Sequence, residues 1–230
     1  MLAAMSAGGY TTRRKKQAKL CYLCGKPNTD TKDHVPPRGI FPAKPKGQLL
    51  TVPAHRDCNQ KYSEDDDLFR NLIIAGSGRT AEGQHAWNEQ VVPSWKQNRG
   101  AKRKLQERMV FIWVRDTKSG LFIPQKALRG DIPLFEREID RCTRGLYYHK
   151  FKKPYPPSQE IKMDKLQPPE ISIPDLNRGA ARDGVKLDWI HVEPNIFAYS
   201  VQVSPENMNA IIAFFIFFNT EVFMASAGMP

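Results

Sequence analysis

Two short ligand pairs constrain this chain more than any other feature. Cys21-Tyr-Leu-Cys24 and His55-Arg-Asp-Cys58 each carry two metal-ligating side chains with two residues between them. That spacing lets each pair grip a single ion, and two such pairs complete a tetrahedral N/S site for Zn²⁺ with no open position. A zinc held this way is structural, and the segment between the pairs must close back on itself like a loop stapled at both ends. Cys-x₂-Cys also occurs as a redox pair, but no βαβ pattern surrounds this one and the second pair is at hand. The remaining cysteine, Cys142, stands alone in Glu136-Arg-Glu-Ile-Asp-Arg-Cys142. An odd thiol of this kind argues against a secreted disulfide framework.

Inside the staple lies Asp33-His34-Val35-Pro36, and Asn59 follows directly on Cys58. An imidazole titrates near physiological pH, so His34 can take a proton from water as a general base. The Asp33 carboxylate and the Asn59 amide oxygen suit a hard cation, Mg²⁺ or Mn²⁺, that keeps several of its waters. Such an ion polarises a phosphodiester and stabilises the leaving oxygen. The bland alternatives are a packed or capping His34 and an Asn59 that caps a helix. Asp65, Asp66 and Asp67 read as a solvated helix face.

The charge balance points the same way. Against 24 acidic residues stand 35 Lys and Arg, a formal charge of +11, which favours a polyanionic partner, nucleic acid ahead of an anionic membrane. Arg99, Lys102, Arg103 and Lys104 form the densest basic stretch beyond the N-terminal Arg13-Arg-Lys-Lys16 and are the predicted phosphate contacts. Arg38, four residues after His34, is either a phosphate clamp or an ordinary surface arginine. The apolar run Ala210 to Phe218 is too short for a membrane span. The basic run follows the apolar N-terminal residues instead of preceding them, the wrong order for an export signal, so a cytoplasmic location is expected.

Patterning predicts short strands at Lys32 to Val35 and Leu49 to Pro53, joined by a loop whose prolines (Pro36, Pro37, Pro42, Pro45) exclude a helix. A helix is predicted from about Asp57, re-capped at Ser63 by Ser63-Glu-Asp-Asp66. Thr80 to Trp95 predicts a second helix, and Met109 to Val114 with Leu121 to Ile123 a hairpin about Asp116-Thr-Lys-Ser-Gly120. Phe111 and Trp113 read as core. Pro133 opens a helix to about Tyr148. Residues 152–188 read as a Pro-rich linker with little periodicity. Phe197 to Val203, Ile211 to Phe218 and Glu221 to Ala225 read as strands, the middle one covered on both faces. The predicted organisation is a basic arm (1–18), a metal-stapled unit (19–78), a helical and hairpin extension (79–151), the linker (152–188) and a β-rich segment (189–230).

Cys-x₂-Cys, then Asp-His-Val-Pro-Pro, then His-x₂-Cys-Asn opening a helix, resembles the HNH endonucleases, also called ββα-metal or His-Me finger nucleases. The resemblance covers about residues 19–75. It implies an α+β fold, with a zinc-stapled ββα-metal nuclease domain followed by a mixed helix and antiparallel-strand accessory domain. It also implies metal-dependent hydrolysis of DNA; an RNA-directed nuclease is a weaker rival. In that reading His34 is the general base, Asp33 and Asn59 hold the Mg²⁺ or Mn²⁺, and Cys21, Cys24, His55 and Cys58 hold the zinc. One ββα unit cuts one strand, so a double-strand break would take a homodimer. The chain departs from the family at Leu50, where the family has an Asn that helps hold the loop carrying the base. The rival reading is a catalytically silent zinc module that binds nucleic acid.

Overall fold

The computed structural model describes residues 19–166, 172–182 and 184–228; the predicted basic arm lies outside them. Strand β1 (Thr31–His34) pairs antiparallel with β2 (Thr51–Ala54), with Asp33 opposite Val52 and His34 opposite Thr51. The proline-rich loop between them holds only a three-residue 3₁₀ turn, Arg38–Ile40. Helix α1 (Arg56–Gln60) follows β2 at once, and α2 (Ser63–Gly76) begins after a break. Ser63 is thus the first residue of α2 and not its cap; Tyr62 occupies the cap position without a side-chain hydrogen bond.

Next come α3 (Ala81–Ala86), with Thr80 at its cap accepting from the Gly83 N–H, a π turn at Trp87–Val91, and α4 (Val92–Gln97). The Val92 N–H reaches the Trp87 carbonyl just ahead of Pro93, which brings no N–H of its own. Helix α5 (Arg99–Gln106) carries the basic stretch and leads into the hairpin of β3 (Met109–Arg115) and β4 (Phe122–Leu128). Helix α6 runs from Ile132 to Phe151.

The predicted linker contains two elements, β5 (Lys162–Leu166) and α7 (Ile173–Arg182). Strands β6 (Ile190–Glu193), β7 (Phe197–Val203), β8 (Ile211–Phe217) and β9 (Glu221–Ala227) complete a five-stranded antiparallel sheet in the order β5-β9-β8-β7-β6. The whole is a mixed α+β fold of helices and antiparallel sheets. Among the described residues no helix is long and apolar enough to cross a membrane.

One apolar cluster extends from Cys21 to Ala227. At its centre Phe69 of α2 meets Phe135 of α6 and Phe217 of β8 edge-on, and truncating a ring so buried costs about 3–5 kcal/mol. The opposite face of the sheet is closed by Leu176 of α7 and Leu187 over Phe214, Ile216 and Val222. That is why β8 is an unbroken apolar run: both of its faces are covered.

Two contacts fix the strand unit to this frame. Gly145 lies so close to Val35 that an added Cβ would stand 2.5 Å from its Cγ2, so α6 rests directly on the residue after His34. Gly47, in the long loop, approaches β6 so tightly that a Cβ would meet the Val192 carbonyl oxygen at 1.8 Å. Beside it Glu193 Oε2 accepts from the Lys46 and Gly47 N–H groups, both at 2.8 Å.

Asp65 and Asp66 of α2 face α6 and are not the solvated residues their composition suggests, whereas Asp67 pairs with Arg70 of its own helix and stays partly solvated. Arg137 binds Asp65 through two nitrogens at 2.8 and 3.0 Å, and Arg141 binds Asp66 while its guanidinium covers the Tyr62 ring. Glu138, one turn before Arg141, is fully buried; neither carboxylate oxygen has a hydrogen-bond partner among the described residues, although Arg141 Nη2 is 3.2 Å away. Burial pushes the Glu138 carboxyl up to about 8, against the pull of Arg141. A carboxyl that holds its proton more tightly folded than unfolded loses stability as pH rises, here between the ordinary 4.5 and about 8. Glu138→Gln is therefore expected to be more stable than the parent at pH 8, by a free energy on the order of a few kcal/mol, read as a higher unfolding temperature. The two proteins should converge below about pH 4.5. A variant no more stable at alkaline pH would show that Arg141 compensates the buried charge in full.

Candidate metal centre and active site

Cys21 and Cys24 flank a turn in which the Gly25 N–H bonds the Cys21 carbonyl at 2.9 Å and the Cys21 N–H bonds the Lys26 carbonyl at 2.8 Å. The Pro53 carbonyl accepts from Tyr22 N–H at 3.1 Å, which lays this turn against β2. His55 is the cap position of α1 and Cys58 lies one turn along it, so the second pair converges on the first. The four donor atoms, three Sγ and one imidazole nitrogen, all lie within 4.8 Å of one another.

His55 Nδ1 is 3.3 Å from Cys24 Sγ and 3.9 Å from Cys58 Sγ. Around a tetrahedral zinc the N···S edge is about 3.6 Å. The other ring nitrogen, Nε2, donates to the Pro27 carbonyl at 2.8 Å, leaving Nδ1 unprotonated toward the thiols. The donor set and its orientation fit a tetrahedral ion such as zinc.

Asp33 and Asn59 meet at the next layer. Asp33 is buried, and the Tyr22 hydroxyl donates to its Oδ2 at 2.5 Å. Burial raises the Tyr22 pKa well above the usual phenol range, and the Asp33 charge adds to the effect, so the phenol stays a donor. One terminal atom of the Asn59 amide lies 3.1 and 3.3 Å from the two Asp33 carboxylate oxygens. That atom is the nitrogen, which donates to both carboxylate oxygens; an oxygen there would face only acceptors.

His34 follows Asp33 along β1 and its ring is half-buried. Burial lowers its pKa below the usual histidine value; the neighbouring Asp33 charge opposes this and Arg38 reinforces it. The ring is thus biased to the neutral form that can accept a proton. Leu50 packs against the core, and its carbonyl accepts from Val35 N–H at 3.1 Å. A backbone bond therefore tethers the loop just after His34.

Arg38 turns onto its own loop, donating to the carbonyls of Phe41 (3.1 Å) and Ala43 (2.8 Å). The α5 cations lie apart from this cluster in sequence and on a solvent-facing helix. Arg99, Lys102 and Arg103 are exposed; Arg103 pairs with Glu107 at 3.4 Å and Lys104 with Glu64 at 2.7 Å. Sequence reasoning missed Tyr22, the partner of Asp33, because nothing in a Cys-x₂-Cys spacer marks a tyrosine as reaching a strand beyond the knuckle. It also missed the Arg141 group behind the site. Burial works against the Arg141 cation, yet the acids around it, Glu138 first, raise its pKa. The only clue was the helical spacing of Glu138 and Arg141. Comparison with protein families, curated proteins and solved structures gives no match to this chain.

Proposed function

We propose that the chain is a metal-dependent endonuclease of the HNH type that hydrolyses phosphodiester bonds in DNA in the cytoplasm. The observation that carries this reading is the Asn59 amide 3.1 and 3.3 Å from both Asp33 oxygens, one residue from a half-buried His34. A Mg²⁺ or Mn²⁺ ion held by Asp33 and Asn59 would supply Lewis-acid stabilisation of the scissile phosphate and leaving oxygen. His34 takes the proton from the attacking water. Tyr22 holds the Asp33 carboxylate in place from behind, and Cys21, Cys24, His55 and Cys58 hold a structural zinc that sets α1 and hence Asn59. The test is nicking of supercoiled plasmid with Mg²⁺ or Mn²⁺, abolished by EDTA; no cutting with either ion would leave the silent zinc module as the better reading. That rival draws on Leu50, but zinc binding needs none of Asp33, His34 and Asn59.

The substrate is held through charge. Affinity for duplex DNA is expected to fall steeply with salt, since each phosphate neutralised releases counterions. Replacing Arg99, Lys102, Arg103 and Lys104 together by Gln should flatten the log–log slope by up to ~3.6 if each meets a phosphate. The Glu64 and Glu107 pairings favour a smaller change, led by Arg99 and Lys102, for which no acidic partner is found among the described residues. An unchanged slope would place the contact surface elsewhere.

A further inference from the structure

The β3–β4 hairpin corrects the expectation that Phe111 and Trp113 are core. Phe111 is 71% exposed, Trp113 69% and Phe122 66%. The register pairs Phe111 with Lys126, Trp113 with Pro124 and Arg115 with Phe122. Directly opposed residues share a face, so these six side chains stand together on one side of the ribbon. Lys126, Pro124 and Arg115 are exposed as well. Three solvated rings alternating with cations are not what a chain leaves bare without a partner.

Two features of this face select the partner. Phe111 and Trp113 are two residues apart on one strand, a separation of about 6.8 Å. One flat base between two rings needs about twice the 3.4 Å step of stacked bases, the same distance. Lys126 lies directly across from Phe111 and Arg115 from Phe122, so two of the three rings have a cation directly opposite for the backbone phosphate, and Trp113 between them faces Pro124. Arg115 also rests its Nε on the Gly120 carbonyl at 3.3 Å. The rings and Arg115 would also suit a protein interface, but Lys126 is of a type in which such interfaces are depleted. The hairpin rises directly from α5 with its exposed Arg99, Lys102 and Arg103, which extends the positive charge onto its base.

We propose that this face is a stacking platform for unpaired bases, and that the chain engages nucleic acid bearing a single-stranded segment. The inference rests on the nuclease reading for its biological sense and names the substrate class of that same activity. Base–aromatic stacking is sequence-tolerant, because every base presents a π-face, and the cations track the phosphates.

The test uses the full chain with His34→Ala and no added Mg²⁺ or Mn²⁺, so that binding is read without cutting and the four-ligand metal cluster is left intact. Affinities for a labelled oligothymidine and for a mixed-sequence duplex are measured by anisotropy. Phe111→Ala with Trp113→Ala should weaken oligothymidine binding at least ~30-fold and duplex binding much less, whereas Trp113→Phe should keep most of the affinity. Oligothymidine should also quench tryptophan emission in the parent, and that quenching should shrink in Trp113→Phe. Unchanged oligothymidine affinity in the double variant overturns the platform, as does an equal loss for oligothymidine and duplex. A parent that sediments as a dimer, split by the double variant at unchanged oligothymidine affinity, assigns the face to a second copy instead. Plasmid hydrolysis by the parent in Mg²⁺ or Mn²⁺ is scored separately, so failure of the nuclease reading leaves the binding result standing.

Discussion

Cys58→Ser is expected to release the bound metal and unfold the first 75 residues or so. Structural zinc contributes folding free energy on the order of 10 kcal/mol, more than most domains hold in reserve. The geometry says why nothing replaces it. Helix α1 has five residues, far too few to persist alone, and its ligand turn is joined to the Cys21–Cys24 turn through the four-donor cluster. Without an ion, three sulfurs and an imidazole within 4.8 Å have only weak hydrogen bonds to offer one another. Asn59 is the next residue after Cys58, so loss of the ion also removes the Asn59 amide from Asp33. The purified protein should carry one equivalent of zinc by elemental analysis, and chelation should give the same melting behaviour as Cys58→Ser. A parent protein that is folded, cooperative and free of metal would end the zinc reading.

The strand, loop and helix succession around the site was legible because its signals are local. Ligand spacing and prolines that forbid helix each act over a few residues, and the structure reproduces the elements they predict. Ile211 to Phe217 was legible for a different reason. A strand covered by Phe69 of α2 on one side and by α7 on the other has no polar face to alternate.

What escaped the sequence depends on distant partners. Asp65 and Asp66 look like any solvated acidic turn until Arg137 and Arg141 of α6 arrive opposite them. Strand β5 carries Lys162, Asp164 and Lys165 and shows no apolar alternation; it exists because β9 offers it an edge to pair with. Phe111 and Trp113 failed in the opposite direction. Their pattern is that of a buried strand, but the hairpin has only two strands and, among the described residues, no layer covers its ring-bearing face. Periodicity reports that a face is apolar and not what covers it. The exposed rings show how local rules assign an apolar pattern to the core when no covering layer is present.

His34→Ala is expected to slow phosphodiester hydrolysis at least ~10²-fold, because it removes the proposed proton acceptor. Zinc content, melting temperature and DNA affinity should hold, since His34 is neither a zinc ligand nor part of the α5 surface and its ring is only half-buried. The comparison that gives this its force is with the cation ligands. Asn59→Ala should also slow cutting, but raising Mg²⁺ or Mn²⁺ should partly restore it, because a weakened site fills again by mass action. Asp33→Ala is a less clean probe, for it strands the buried Tyr22 hydroxyl that donates to Asp33, and an unmet buried donor costs about 1–3 kcal/mol in its own right. Asp33→Asn keeps an acceptor for Tyr22 and isolates the loss of charge at the ion. His34→Ala should show no metal rescue, since added cation polarises the phosphate without taking the proton from water. Rescue of His34→Ala by metal would move the histidine from base to ligand, and full activity in that variant would refute the mechanism.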